Sequence, residues 1–271
     1  MGTSRRNSLR LLAAAAAAGL GLKPIRLAAA EAPPETKRLR LSKVPSICLA
    51  PQYVAEALLH AEGFTQIEYV GTAMQASGVP GAQHIFLASI ATSVGLDPNR
   101  DIHWADHPSA EGKRLLAEGK IDAYLGFPPD PQELRASKVG HVLLNSAVDR
   151  PWSQYFCCLV AANREFASKH PIAAKRALRA ILKASELCAS EPDLAVKACL
   201  AQGYKANPEH ARQAILELPY GRWRDYNPEE TVRFYALRLR EAQMVKGTPQ
   251  QLIAQGTDWR FIEQIKREMK S

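Results

Sequence analysis

Arg38-Leu39-Arg40-Leu41-Ser42-Lys43 alternates polar and apolar side chains, and that period of two predicts a strand with one covered face. Val44 to Ala50 follows as a loop. Pro51 then suits the first turn of a helix, because its missing N–H would be unpaired there anyway. Val54, Leu58 and Ala61 give that helix an apolar stripe, and Gly63 ends it. Ile67 to Val70 predicts the next strand. Strand, helix and strand in this order form one βαβ unit, so the expected fold class is α/β.

The same alternation of strands and helices is expected downstream. Gly71 to Ala82 has no clear period and reads as a loop, rich in Gly and closed by Pro80 and Gly81. A helix begins near Gln83, with Leu87, Ile90, Ala91 and Val94 as its stripe, Gly95 as its stop and Leu96 as a contact packed back on its end. Short strands are expected at Ile102 to Trp104, Ile121 to Phe127, His141 to Asn145 and Ser153 to Ala161. Helices separate them, one capped by Ser109 and one over Gln132 to Lys138. From Pro171 the chain becomes helical. Leu178, Ile181, Leu182, Ser185 and Ala189 make one face, and Arg176, Arg179 and Lys183 read as a solvated basic face opposite. Shorter helices follow over Asp193 to Gln202 and Glu209 to Glu217. Asn227-Pro228-Glu229-Glu230 has the form of a capping box, and Asp258 to Lys270 is the last helix.

Upstream of the first strand, Ser4-Arg5-Arg6-Asn7-Ser8-Leu9-Arg10 leads into Leu11, Leu12 and six alanines. Charge, a short apolar run and then small residues is the architecture of an export signal, and the adjacent arginines resemble a twin-arginine signal. Ser8 stands where Phe is more usual. Cleavage is expected after Ala30 or Ala32, with an uncut membrane anchor as the alternative. The signal also explains the charge. The net +8 includes Arg5, Arg6, Arg10, Lys23 and Arg26, and without them 30 basic residues face 27 acidic ones. A nucleic-acid partner therefore loses its electrostatic support, and none is expected. With 271 residues and 46% apolar composition the chain is long enough for a sizeable core.

Chemistry-bearing motifs are few. No Gly-rich phosphate loop, nucleophile elbow or His-Glu-x-x-His is found in the sequence. Five cysteines, Cys48, Cys157, Cys158, Cys188 and Cys199, match no zinc spacing and read as buried free thiols, with a Cys188–Cys199 bridge left open. His103, Asp106 and His107 lie close in sequence but in a polar loop, and read as surface residues. No metal and no cofactor is expected. More content lies in the helix beginnings near Pro51 and Gln83. Each exposes unpaired N–H groups and positive partial charge, so a shared cleft between them would hold an anion. His84, at the second start, is placed to hydrogen-bond such a ligand or simply to lie exposed.

Four further stretches carry a family resemblance: Gln83 to Ser89 (QHIFLAS), Val94 to Pro98 (VGLDP), Leu116 to Pro129 (LAEGKIDAYLGFPP) and Asp149 to Phe156 (DRPWSQYF). Together with Arg38 to Val70 they resemble the nitrate, sulfonate and taurine group of ABC-transporter substrate-binding proteins, whose domain is shared with fungal thiamine-pyrimidine synthases. The resemblance implies a periplasmic binding protein fold of the second type, with two lobes, a hinge and a small anionic or heteroaromatic ligand between the lobes. It implies a periplasmic monomer that delivers its ligand to an ABC permease at the inner membrane, and not an enzyme. Carried onto this chain, the ligand-binding positions are Ser46, Pro51 and Gln52 after the first strand, Gln83 and His84, Gly126 and Phe127, and Asp149, Arg150, Trp152 and Tyr155 at the crossover. Asp149 and Arg150 equally suit a hinge ion pair. Trp152 and Tyr155 suit a stacking wall or the core.

The chain departs from that family between Val70 and Gln83, where a further helix, a strand and the crossover are usual and twelve residues stand instead. An internal deletion is expected, leaving the first lobe incomplete. The implied organisation is an export signal over 1–32, a first-lobe unit over 33–82, a second lobe over 83–152, and a return to the first lobe with C-terminal helices over 153–271. The alternatives are an enzyme of the thiamine-pyrimidine-synthase type, against which an export signal speaks, and a truncated relative without a transport role.

Overall fold

The computed structural model describes residues 31–44, 46–71 and 81–269. The expected export signal falls outside the described residues, except for its last two positions. The opening βαβ unit is present. β1 (Arg38–Lys43) pairs in parallel with β2 (Gln66–Gly71), Leu39 against Ile67 and Leu41 against Tyr69. Leu39 and Leu41 are buried while Arg38 and Arg40 face outward, and both arginines reach Glu68 on the neighbouring strand. The connecting helix starts earlier than expected. A 3₁₀ turn, Ile47–Leu49, is capped by Ser46 and runs directly into α1 (Ala50–Val54) and α2 (Glu56–Ala61). Gly63 ends the run at a φ of +102°, a conformation glycine adopts without strain.

The remaining described elements are helical. They are α3 (Ala82–Ser93), α4 (Ser109–Ala117), α5 (Asp130–Ala136), α6 (Arg164–Lys169), α7 (Pro171–Ser190), α8 (Pro192–Ala201), α9 (Pro208–Glu217), α10 (Pro228–Glu241), α11 (Pro249–Gly256) and α12 (Arg260–Glu268). Helix α7 organises the core. Its most buried line is Ala173, Ala177, Ala180 and Ala184, spaced four, three and four residues apart, so these alanines share one face. Alanines let a neighbouring backbone approach closely, and Leu39, Leu41, Ala55, Leu59 and Phe64 fill the space against them. Further along α7, Cys188 joins Ile47, Ala50, Tyr53, Val196, Cys199 and Ile215 in a second cluster. Both clusters take residues from α7 and from the Ile47–Ala61 region.

Several expectations are corrected. Among the described residues the β1–β2 pair is the whole sheet, so Ile102–Trp104, Ile121–Phe127, His141–Asn145 and Ser153–Ala161 are not strands. A strand persists only where a neighbour takes its N–H and C=O groups, and no described segment lies alongside these four. Val142, Leu143, Leu159 and Val160 face water as a consequence. The fold is a mixed α/β one, mostly helical, with a small sheet. In α3 the buried positions are Ala88, Ser89 and Ala91, whereas Val94 is 69% exposed. Ser109 is not a cap; its hydroxyl donates to Asp130 Oδ2 at 2.7 Å. Asn227 caps α10 by accepting from the amides of Glu229 and Glu230, but Glu230 turns to Arg233 instead of closing a capping box. Arg176 and Arg179 are not solvated. Their side chains are largely covered and reach Glu62, with Arg179 Nε 2.7 Å from Glu62 Oε1, and only Lys183 of that face is exposed.

Residues 33–271 cluster as one unit. Among the described residues no helix is long and apolar enough to cross a membrane.

Candidate functional site

The loop after β1 is fixed by hydrogen bonds that use up its amides. Cys48 N donates to Ser46 Oγ (3.2 Å), Leu49 N to Ser46 O (3.1 Å), and the amide of Ala50 to Ile47 O. Pro51 is buried in the first turn of α1 and brings no donor. Gln52 Nε2 donates back to Ser42 O at 2.7 Å, and Tyr53 Oη to Val44 O at 2.6 Å, which pins the end of β1 to the helix. The open, amide-rich helix start expected at Pro51 is therefore satisfied internally.

The start of α3 differs. Its N-cap is Gly81, which has no side chain to cap the first turn. Gln83 and His84 are half-buried there, and the imidazole of His84 lies against the Trp104 ring at 3.9 Å between centroids. Two residues on, Phe86 meets Trp152 edge to face at 5.1 Å. Trp152 is 2% exposed and also touches Phe234 and Tyr235 of α10, so its ring belongs to an aromatic core. Tyr155 is half-buried and stacks on Phe234, with centroids 4.0 Å apart and planes 14° from parallel. Phe234 carries no sequence signal of this role, because nothing local to α10 points to the distant crossover segment.

At the crossover, Asp149 accepts from Asn145 N at 2.6 Å and closes its own turn. It makes no ion pair with Arg150, whose side chain is exposed and has no ion-pair partner among the described residues. Gly126 and Phe127 lead into α5. A Cβ at Gly126 would lie 3.1 Å from Asp130 Cβ and from Pro131 Cδ, a tight fit that a larger residue meets only if these neighbours shift by a few tenths of an ångström. Asp130 is a hub that the sequence did not reveal: Ser109, Tyr124 and Lys113 all reach its carboxylate.

Three of these segments converge. Tyr204 Oη donates to Pro128 O at 3.2 Å. Burial pushes its phenol up, and the nearby Asp130 and Cys48 add to that, so the start of α5 and the loop after β1 both lie near this ring. The Cys48 thiol is also lowered by Cys158, and Cys158 raised by Cys157 and Cys48, which puts the segment after Tyr155 near the same loop. Tyr220 Oη closes the same region by donating to Ile47 O at 2.6 Å. Cys157 and Cys158, expected to be buried, are exposed; Cys188 and Cys199 are buried free thiols as expected.

The shared thiol contacts split the cysteines electrostatically. Cys48 is pulled down to about 7, first by the hydrogen bond from Cys158 and then by Ser46 and its own amide, against its burial. Cys158, the donor to both neighbours, is pushed far up. Burial raises Cys188 and Cys199 to about 12. Two surface hollows share no residue with this region: a groove of about 670 Å³ between α8 and α9, lined by Val196, Leu200 and Arg212 among others, and a smaller one of about 510 Å³ beside Tyr226 and Trp259.

Neither curated proteins nor solved structures gave a match to the chain. The model of the NMT1-like family matches residues 45–202, which span the loop after β1, α3, the Gly126–Pro129 turn, the crossover and helices α7 and α8. The match covers more than half of the chain and every residue of the convergent region except Tyr204 and Tyr220, and the protein belongs to this family, that of the nitrate-, sulfonate- and taurine-binding proteins.

Proposed function

We propose that this chain is the periplasmic solute-binding component of an ABC importer, a monomer that takes a small anionic or heteroaromatic organic solute and hands it to an inner-membrane permease. The reading includes a two-lobed, hinged arrangement and an export signal over residues 1–32. The observation that carries it is the convergence of the loop after β1, the Gly126–Pro128 turn and the segment following Tyr155 around Cys48 and Tyr204. These are the chain positions from which this family's ligand contacts would come, and they are far apart in sequence. An anion would find positive potential at the uncapped first turn of α3 and at Arg150, which spends its charge on no carboxylate among the described residues. Ser46 and Gln52 fix the loop after β1 through their bonds to Cys48 N and Ser42 O.

A thermal-shift series tests the reading, with nitrate, taurine and other sulfonates, pyrimidines and aromatic acids. A ligand present at a hundred times its Kd stabilises the folded state by about 2.7 kcal/mol, a rise of several degrees in a chain of this size. One class alone should produce that rise. Arg150→Gln should remove the rise while leaving the unliganded melting temperature nearly unchanged, as expected for an exposed side chain. Equal, negligible shifts with all four classes would defeat the proposal.

A further inference from the structure

Asp130 makes one unit of α4, α5 and the stretch between them. Ser109 Oγ and Tyr124 Oη each donate to its Oδ2 at 2.7 Å, and Lys113 Nζ lies 3.2 Å from its Oδ1. The Tyr124 ring also lies on Gly112 of α4, where an added Cβ would stand 2.8 Å from it. On either side of this unit the chain forms no helix or strand, over residues 94–108 and 137–151. The first stretch is anchored by Trp104 against His84, and the second ends at Trp152 in the aromatic core. Between those anchors α5 packs against α9, and one carboxylate joins the two helices. Glu217, the last residue of α9, accepts from Gln132 Nε2 at 2.8 Å and from Arg135 Nη2 at 2.6 and 2.8 Å, across 85 and 82 residues of chain. Gln213 Nε2 adds a donor from α9 itself at 3.0 Å. The bond from Tyr204 Oη to Pro128 O crosses the same junction.

A carboxylate in the last turn of a helix faces the negative end of the helix dipole, so Glu217 gains nothing from the dipole of α9, and the donors on α5 account for its place. Its side chain is 33% exposed and that of Arg135 39%, so both return to water at little desolvation cost when they part. Gln132 is buried, and its Oε1 has no partner among the described residues, so its amide is committed to the junction through Glu217. We infer that Glu217 is a releasable latch. Closed on Gln132 and Arg135, it holds the α4–α5 unit against α9. Open, it lets that unit swing on the two irregular stretches while Asp130 keeps the unit intact. The inference rests on the hinged part of the binding reading and names the contact that sets the balance between open and closed forms. Its test uses no ligand, so a failure to bind any solute leaves it standing.

Charge-swap variants of the full-length chain test it. Hydroxyl-radical footprinting reads the junction through Tyr204, a half-buried ring that opening uncovers, and amide hydrogen exchange reads whether α4 and α5 stay folded. Glu217→Arg and Arg135→Glu should each raise oxidation of Tyr204 severalfold. Trp152 and Tyr53, both buried, should stay protected, and exchange within α4, α5 and α7 should match that of the unsubstituted chain. The double swap should restore the protection of Tyr204, because the pair is rebuilt with its charges exchanged and Gln132 can turn its amide to offer its oxygen to the new guanidinium. Glu217→Gln, which keeps the shape and removes the charge, should raise Tyr204 oxidation to a lesser degree and serves should a swap fail to fold. Unchanged Tyr204 oxidation in the single variants, or no recovery in the double swap, would overturn the inference. Faster exchange in α4 and α5 alongside the oxidation would do so as well, since it would mark Glu217 as an ordinary structural contact.

Discussion

Cys48 and Glu62 show how much a single side chain's surroundings decide. At neutral pH a thiol with a value about 7 is half ionised, while one held at about 12 is not ionised at all. Alkylation by iodoacetamide at pH 7 should therefore modify Cys48 well ahead of Cys188 and Cys199. Its rate should rise with pH through a midpoint about 7, since the thiolate, which is the reactive form, is populated above that value. Ser46→Ala removes a donor to the sulfur and should move the midpoint upward; peptide-resolved labelling rates against pH measure both. Glu62 makes the opposite point about charge. Its carboxylate and the two guanidinium groups on it are each less than 15% exposed. Removing it by Glu62→Ala takes the shared carboxylate from two largely buried guanidinium groups, of which Arg179 keeps Glu268, and should cost about 3 kcal/mol in unfolding free energy. Arg212→Ala breaks a pair with Asp193 that is open to water, and should cost less than about 0.5 kcal/mol. Sequence could not separate these two arginine pairs. Helical periodicity puts Arg176 and Arg179 opposite the apolar stripe, and only the arrival of Glu62 and Glu268 from distant segments turns that face inward.

Among the elements, what was legible is what is local. Helices announce themselves through stripes and caps within a few residues. α3, α7 and α9 lie close to where the pattern puts them, and Asn227 caps the helix it precedes. Thr248-Pro249-Gln250-Gln251 also carries the capping-box spacing in plain view, and the box forms, with Thr248 Oγ1 and Gln251 Oε1 each accepting the other's amide. Strands are different, because their hydrogen bonds go to another segment. Leu39 and Leu41 lie on a strand because β2 exists to pair with β1, whereas Ile121 to Phe127 has the composition of a strand and no described partner. The candidate site follows the same division. The family likeness points to segments such as Ser46–Gln52 and Gly126–Phe127, but Tyr204 meets Pro128 across a separation that no window of sequence spans. Helix α7 offers a test of such a long-range cap. Its N-cap, His170, provides no side-chain acceptor, and Glu35 takes the amides of Ile172 and Ala173 at 2.9 and 2.8 Å instead. Burial acts to raise the Glu35 carboxyl, but the two amides outweigh it and hold the group below its ordinary value of 4.5. A depressed carboxyl stabilises the fold above that ordinary value, and the contribution is lost as pH falls through the lower, folded one. Glu35→Gln should thus cost about 0.5–1 kcal/mol at pH 7, at the modest end because the group is exposed, and the difference from the unsubstituted chain should shrink below pH 4.5.

For residues 33–271 as a whole, the arrangement of the core fixes how the protein should come apart. The cluster around Leu39, Leu59 and Phe64 and the cluster around Ile47, Cys199 and Ile215 are both built on α7, the first on its alanine line and the second on Cys188. Neither can lose its packing without uncovering a face of the same twenty-residue helix. The C-terminal helix is tied to it as well, because Glu268 of α12 reaches Lys175 and Arg179, and Arg179 in turn holds Glu62 at the end of α2. The aromatic group of Phe86, Trp152 and Tyr235 joins α3 to α10. Shared elements of this kind couple local openings into one transition. Unfolding in urea, followed by far-UV circular dichroism for the helices and by tryptophan fluorescence for Trp152 and the other three indoles, should give superimposable curves with one midpoint and one slope. An indole signal that changes at lower urea than the helical signal would mean that the region around Trp152 opens alone. The α7-centred core would then hold only part of the chain together, as expected of a protein whose lobes move about a hinge.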